Sequence, residues 1–226
     1  MGAFLLSGVL LCIPSTFANE IVTVRAVTDG DTVRLTDGRK VRLIGINAPE
    51  LARERQREEP LARLARQELT RLIGRRAITL VIGPDAHDRY GRLLAHIKLA
   101  NGKWAGERLL QQGLASVIAI PPNLAHLPHY RKAEASARRK RIGIWAHPDY
   151  RPIPATSLNS DKTGYRFVAG RIKRVGRSRK NIYFNLTPTF AIVIKRKHWH
   201  YFGGDPQQWR GKRIIVRGWV SWRNNK

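Results

Sequence analysis

The chain has 226 residues, with 42 Lys and Arg against 16 Asp and Glu, for a formal net charge of +26. A hydrophobic fraction of 42% with six Trp, six Tyr and six Phe excludes a wholly disordered chain. The length admits one large domain or two small ones without a disulfide staple, and the charge excludes a neutral metabolic enzyme as the default, pointing to a polyanionic partner, nucleic acid before anionic membrane.

Residues 2–13 are apolar and uncharged, and Thr16 and Ala18 supply small residues before a cut after Ala18. Residues 1–18 therefore read as a secretory signal peptide, although no Lys or Arg follows Met1. A buried first helix or a membrane anchor is the alternative, but the run is short for a spanning helix. Cleavage would remove Cys12, the one cysteine, leaving a chain suited to a periplasmic or secreted location with no stable membrane anchor.

In the next part, residues 20–150, residues 21–27 are β-rich and end at an Asp29-Gly30 turn. Residues 32–35 alternate, Asp37-Gly38 is a hairpin signal, and residues 40–46 make a third strand. Apolar residues at helical spacing predict a helix over 53–72. Residues 77–81 and 93–99 read as strands, and residues 104–113 and 129–141 as helices, the last ending Arg138-Arg139-Lys140-Arg141. This order predicts a small closed barrel decorated by helices, an α+β arrangement.

Residues 151–160, with two prolines and small polar residues, read as a linker. Residues 161–226 read as strands and turns, with 17 Lys and Arg against Asp161 and Asp205, net +15; the part before carries 25 against 14, net +11. Basic strands interleaved with Tyr, Phe and Trp resemble a second, small OB-like nucleic-acid-binding barrel, most of whose aromatics form its core. His198-Trp199-His200 would place two imidazoles on one face of a strand, a poor zinc site without further ligands.

Phosphodiester hydrolysis needs a base for water and positive charge where the transition state gathers negative charge; a divalent cation is a common further clamp. In a chain this basic, the informative residues are carboxylates set among arginines. Three segments offer them: 29–32, 42–50 and 88–92. Each alone has a bland reading: Asp31 capping a turn, Glu50 facing solvent, Arg42 pairing with Glu50.

Together, Asp29-Gly30-Asp31-Thr32-Val33, residues 41–50 from Val41 to Glu50, and Asp88-Arg89-Tyr90-Gly91-Arg92 resemble the signature blocks of the staphylococcal nuclease family. Similar pieces at 109–115 and 130–145 extend the resemblance, in order, over residues 21–146. It implies a five-stranded OB-type barrel with three helices and calcium-dependent cleavage of DNA and RNA, with water attacking phosphorus and the 5′-oxygen leaving. It implies that Asp31, Asn47 and the Ala48 carbonyl hold Ca2+, and that Glu50 is the general base. Arg42 and Arg92 would stabilise the transition state, and Arg89 and Tyr90 would contact a terminal phosphate. It implies no obligate protein partner.

Two departures from the family pattern stand out. Asn47 replaces a ligand aspartate, so weaker calcium binding is expected. Residues 116–123 lack the tyrosines placed there against a base, so base preference should differ. The competing expectation is a degenerate barrel that binds nucleic acid without cutting it; a third is a basic envelope protein drawn to anionic lipid.

Overall fold

The computed structural model describes residues 19–52, 57–74 and 76–222; the expected signal peptide, and the expected helical residues 53–56, lie outside it. The period-2 alternation of the first part closes on itself. β1 (Asn19–Asp29), β2 (Thr32–Leu35) and β3 (Lys40–Leu43) form an antiparallel meander. β3 pairs in parallel with β6 (Leu93–Lys98), and β5 (Ala77–His87) joins β6 back to β1, completing the five-stranded barrel. Val33, Leu35, Val41, Leu43, Leu80, Ala95 and Ile97 fill its interior. Two short strands that the sequence pattern does not separate, β4 (Ile46–Asn47) and β7 (Ser116–Val117), pair antiparallel beside it.

Three helices pack on the barrel: α1 (Ala62–Ile73), α2 (Ala105–Gln111) and α3 (Leu127–Lys140). α1 buries Ala62, Ala65, Leu69 and Ile73, the three-to-four spacing of one helical face. It begins at 62, later than expected. Pro60 lacks the N–H and clashes with a preceding turn, so a helix could not run through it from residue 53.

The C-terminal part departs from expectation. Its described strands form two three-stranded sheets rather than a closed barrel. One holds β8 (Ile153–Pro154), β9 (Gly164–Arg171) and β13 (Arg213–Val220); the other holds β10 (Arg174–Arg177), β11 (Asn181–Asn185) and β12 (Ala191–Lys195). After β12 the chain turns into a 3-10 helix, Arg196–Tyr201, instead of pairing onward. From that helix Trp199, with Trp209, packs on Phe184 at ring separations of 5.6 and 6.1 Å, so aromatic bulk fills the space between sheets. His198 and His200 thus sit on a 3-10 turn, not a strand. The expected linker is partly structural: Ile153 and Pro154 pair with Val168 and Ala169, and Ala155 is buried. No described helix is long and apolar enough to cross a membrane.

Candidate active site

The β1–β2 turn carries the first group. Gly30 is required there by crowding: a Cβ would lie 2.6 Å from Ala48 Cβ and 2.7 Å from Ala65 Cβ. That close approach presses the turn against residue 48 and against α1. Asp31, 2% exposed, is then fixed by its backbone, whose N–H donates to Asp29 Oδ1 (3.1 Å) and whose carbonyl accepts from Leu43 N–H (2.8 Å). Its carboxylate accepts from Ala48 N–H (2.8 Å) and Thr32 Oγ1 (3.1 Å).

Arg42 lies opposite Thr32 in the β2–β3 register, between the inward Val41 and Leu43, so its side chain leaves on the outer face of the barrel. Its guanidinium reaches Asp31 Oδ2 at 2.9 Å and Asn47 Oδ1 at 3.2 Å, and donates to the carbonyls of Leu43 (2.8 Å) and Ile46 (2.9 Å). The side chain is only 11% exposed. Arg42 therefore gathers Asp31 and Asn47, and Asn47 Nδ2 lies 3.5 Å from the Ala48 carbonyl. Asp31 and Asn47 thus meet at one guanidinium, and the Ala48 carbonyl lies beside Asn47.

Burial drives the Asp31 carboxyl up to about 7 despite the opposing Arg42 charge; the negative charges of Asp29 and Glu50 push it further, and the Ala48 N–H holds it back. The charges of Asp29 and Glu50 thus both reach Asp31. Such a cluster with oxygen donors suits a hard cation. Among the described residues no three His, Cys, Asp or Glu side chains form a ready cage. The donors offered are one carboxylate, one amide oxygen and one backbone carbonyl.

Glu50 is partly buried, and its backbone is clamped both ways by Glu59: Glu50 N–H donates to Glu59 Oε2 (3.0 Å) and Glu59 N–H donates to the Glu50 carbonyl (2.9 Å). Sequence reasoning missed Glu59, which it placed inside the expected 53–72 helix as one of several Arg and Glu residues. It also gave no role to Asp29, although both aspartates of the turn are buried.

The 88–92 loop winds around Asp88, which accepts from Tyr90 N–H (2.9 Å), Arg92 N–H (3.0 Å) and Arg92 Nε (2.7 Å). Arg92 precedes β6, which runs beside β3 with Leu94 opposite Arg42. Its guanidinium engages Asp88 and the Tyr90 ring (5.6 Å) rather than Arg42 or Asp31. Arg89 donates to the Tyr90 hydroxyl (2.7 Å), and Tyr90 is 68% exposed. The loop thus offers Arg89 and an aromatic ring to solvent, with Arg92 half-buried against Asp88.

The C-terminal part braces this site from behind. Tyr165 on β9 accepts from Ser116 Oγ (3.3 Å), which also reaches the Asn47 carbonyl (3.5 Å). Arg166 pairs with Glu59 at 3.4 Å. Arg217 on β13 grips buried Glu134 of α3, which also accepts from Val117 N–H (2.7 Å).

A closed five-stranded barrel with helices packed on it, carrying a carboxylate–guanidinium cluster at the β1–β2 turn, defines a protein of the OB-type class. Sequence comparison narrows this. A family profile described as "Staphylococcal nuclease homologue" matches residues 40–147. Thermonuclease of Staphylococcus intermedius is 30% identical over 129 residues, covering 56% of this chain and 76% of that protein. The SPbeta prophage-derived endonuclease YokF of Bacillus subtilis is 31% identical over 134 residues, 57% of this chain but 45% of its own length. Endonuclease YncB of the same organism is 31% identical over 134 residues, 63% of its length. The chain belongs to the staphylococcal nuclease family.

Proposed function

We propose that this protein is an exported, calcium-dependent nuclease that hydrolyses phosphodiester bonds in DNA and RNA, with the 5′-oxygen leaving. The observation that carries the reading is the Asp31–Arg42–Asn47 cluster, joined within 3.2 Å, with the Glu50 charge felt at Asp31. Kinship with proteins named thermonuclease and endonuclease supports the same chemistry. Export rests on the apolar residues 2–13 and the small-residue pattern after them.

In this reading Asp31, the Asn47 amide oxygen and the Ala48 carbonyl would hold calcium, which when bound supplies positive charge beside the phosphoryl oxygen. Glu50 takes the proton of the attacking water, held in place by the Glu59 clamp on its backbone. Arg42 would stabilise the charge that develops on phosphorus oxygens, and Arg92 would join it on leaving Asp88. The two terminal nitrogens of Arg42 are committed to four protein oxygens, so a bidentate phosphate contact through them requires exchange of at least one. Arg89 and Tyr90 receive a terminal phosphate.

That commitment of Arg42, with neutral Asn47, favours one second reading: a member of the family that binds nucleic acid without cutting it. The chemistry of the product ends separates the two. Digestion of single-stranded DNA and RNA should leave 3′-phosphate and 5′-hydroxyl ends; intact substrate supports the binding reading, and 5′-phosphate ends refute the proposed bond cleavage.

A further inference from the structure

Where the two parts of the chain meet, a cleft of about 300 Å³ opens between the end of α3 and the β8–β9–β13 sheet, at the small end of the range for ligand sites. Arg138, Arg141 and Arg151 line it with Trp145, His147 and Phe167, and no described carboxylate does. None of those three arginines has an ion-pair partner among the described residues; Arg138 instead lies over the Trp145 ring at 5.1 Å. Arg217, also on the wall, is already neutralised by Glu134. Three cations crowded without counter-charge repel one another, and an anion relieves that.

Beyond the cleft, Ile215 and Trp219 are exposed at the two ends of a sheet face whose middle is covered, with Phe167 buried and Arg217 held by Glu134 of α3. Ile215, Arg217 and Trp219 alternate on one side of β13, opposite Ala169, Phe167 and Tyr165 of β9. Trp219 is 61% exposed and stands edge-on to Tyr165 at 5.3 Å. Tyr165 in turn touches Ser116, which reaches Asn47. At the cleft's other wall Tyr150 donates to the Pro60 carbonyl (2.7 Å), next to the Glu59 that clamps Glu50. Packed contacts therefore tie this face to the candidate active site. Ile215 and Trp219 lie about 13 Å apart along β13 at roughly 3.3 Å per residue.

We infer that this face and cleft form a second binding site for single-stranded nucleic acid, with a base stacked on Trp219 and phosphates on Arg138, Arg141 and Arg151. Every base offers a π-face and every phosphate a charge, so the site is sequence-tolerant. That the strand held there is also the one being cut rests on the nuclease reading; the binding itself does not.

The test uses the full chain in chelator and a fluorescein-labelled twelve-residue thymidylate, read by anisotropy across a salt series. Trp219→Ala, at an exposed position, should weaken binding about tenfold with the salt slope unchanged, in line with the loss of one stacked base. Arg138→Ala/Arg141→Ala should lower the slope of log Kd against log salt by about 1.4, roughly 0.7 for each phosphate of a single strand that the variant no longer neutralises. Both variants binding within twofold of wild type would overturn the proposal. So would loss of binding to phosphatidylglycerol vesicles in the arginine variant with oligonucleotide affinity intact, which would make the cleft a lipid site. Because binding is read without turnover, a wild-type protein that cuts nothing in calcium would defeat the nuclease reading and leave this test decisive.

Discussion

The barrel half buries its apolar residues in one continuous core running from Val24 to Ala133, whereas the C-terminal half spreads a much smaller core between two sheets and bridges them with Trp199 and Trp209. The barrel needs no outside help to fix the β1–β2 turn, since Gly30 and Asp31 are held by strand register and close packing. The C-terminal half is shorter and denser in positive charge, and it is tied to the barrel largely by polar contacts. Those ties fall on Ser116, Glu59 and Glu134, each one step from a candidate site residue or from β7. One half thus makes the site and the other steadies it.

The sharpest way to break this comparison is at Glu50. Glu50→Gln should leave the melting temperature near wild type and lower turnover by roughly 10²–10⁴-fold, the usual worth of a positioned base. A fully active variant would remove Glu50 from that role and move the chemistry elsewhere.

The next largest effect is expected where the halves join. Arg217→Ala leaves Glu134 buried, keeping one backbone N–H but losing its counter-charge, which should cost about 3 kcal/mol or more in urea unfolding. A loss below about 1 kcal/mol, the range of exposed pairs, would mean that the halves are held by something other than this pair.

Protonation probes the barrel's own site. The folded Asp31 carboxyl is raised to about 7 from 3.8. A raised folded value gives stability that is present below about pH 4 and lost as pH rises through about 7. In chelator, therefore, the stability difference between Asp31→Asn and wild type should shift in favour of the variant across that window. Parallel pH curves would contradict the burial of charge described here. His96 has the opposite sense: buried against Tyr130 and pushed down to about 3, it opposes folding as pH falls below its ordinary 6.5.

The smallest effect is at Asn47. Restoring a carboxylate with Asn47→Asp should tighten calcium binding about tenfold by calorimetry, since ligand charge tunes affinity. An unchanged affinity would take residue 47 out of the ligand set.

Much of the barrel was legible in the sequence because period-2 alternation and turn residues are local signals. β4 and β7, two residues each, carry no period, and α1 starts late because Pro60 interrupts an otherwise helical composition. The C-terminal half misled because alternating basic strands look alike whether they close or stop. Its 3-10 helix at Arg196–Tyr201 turns the chain away with no Gly or Pro to announce it. In the site, Asp31, Arg42, Asn47 and Ala48 were legible as neighbours through ordered motifs. Glu59 and Tyr165 were not, since their part is set by tertiary contacts 9 and 49 residues away along the chain.

The most direct measurement is cleavage of single-stranded DNA and RNA by the full chain at millimolar calcium and again with chelator in excess. Cutting of both substrates with calcium, abolished by the chelator, is the predicted result. No cutting at millimolar calcium, or cutting that persists in chelator, would contradict a calcium-dependent site built on Asp31, Arg42, Asn47 and Glu50.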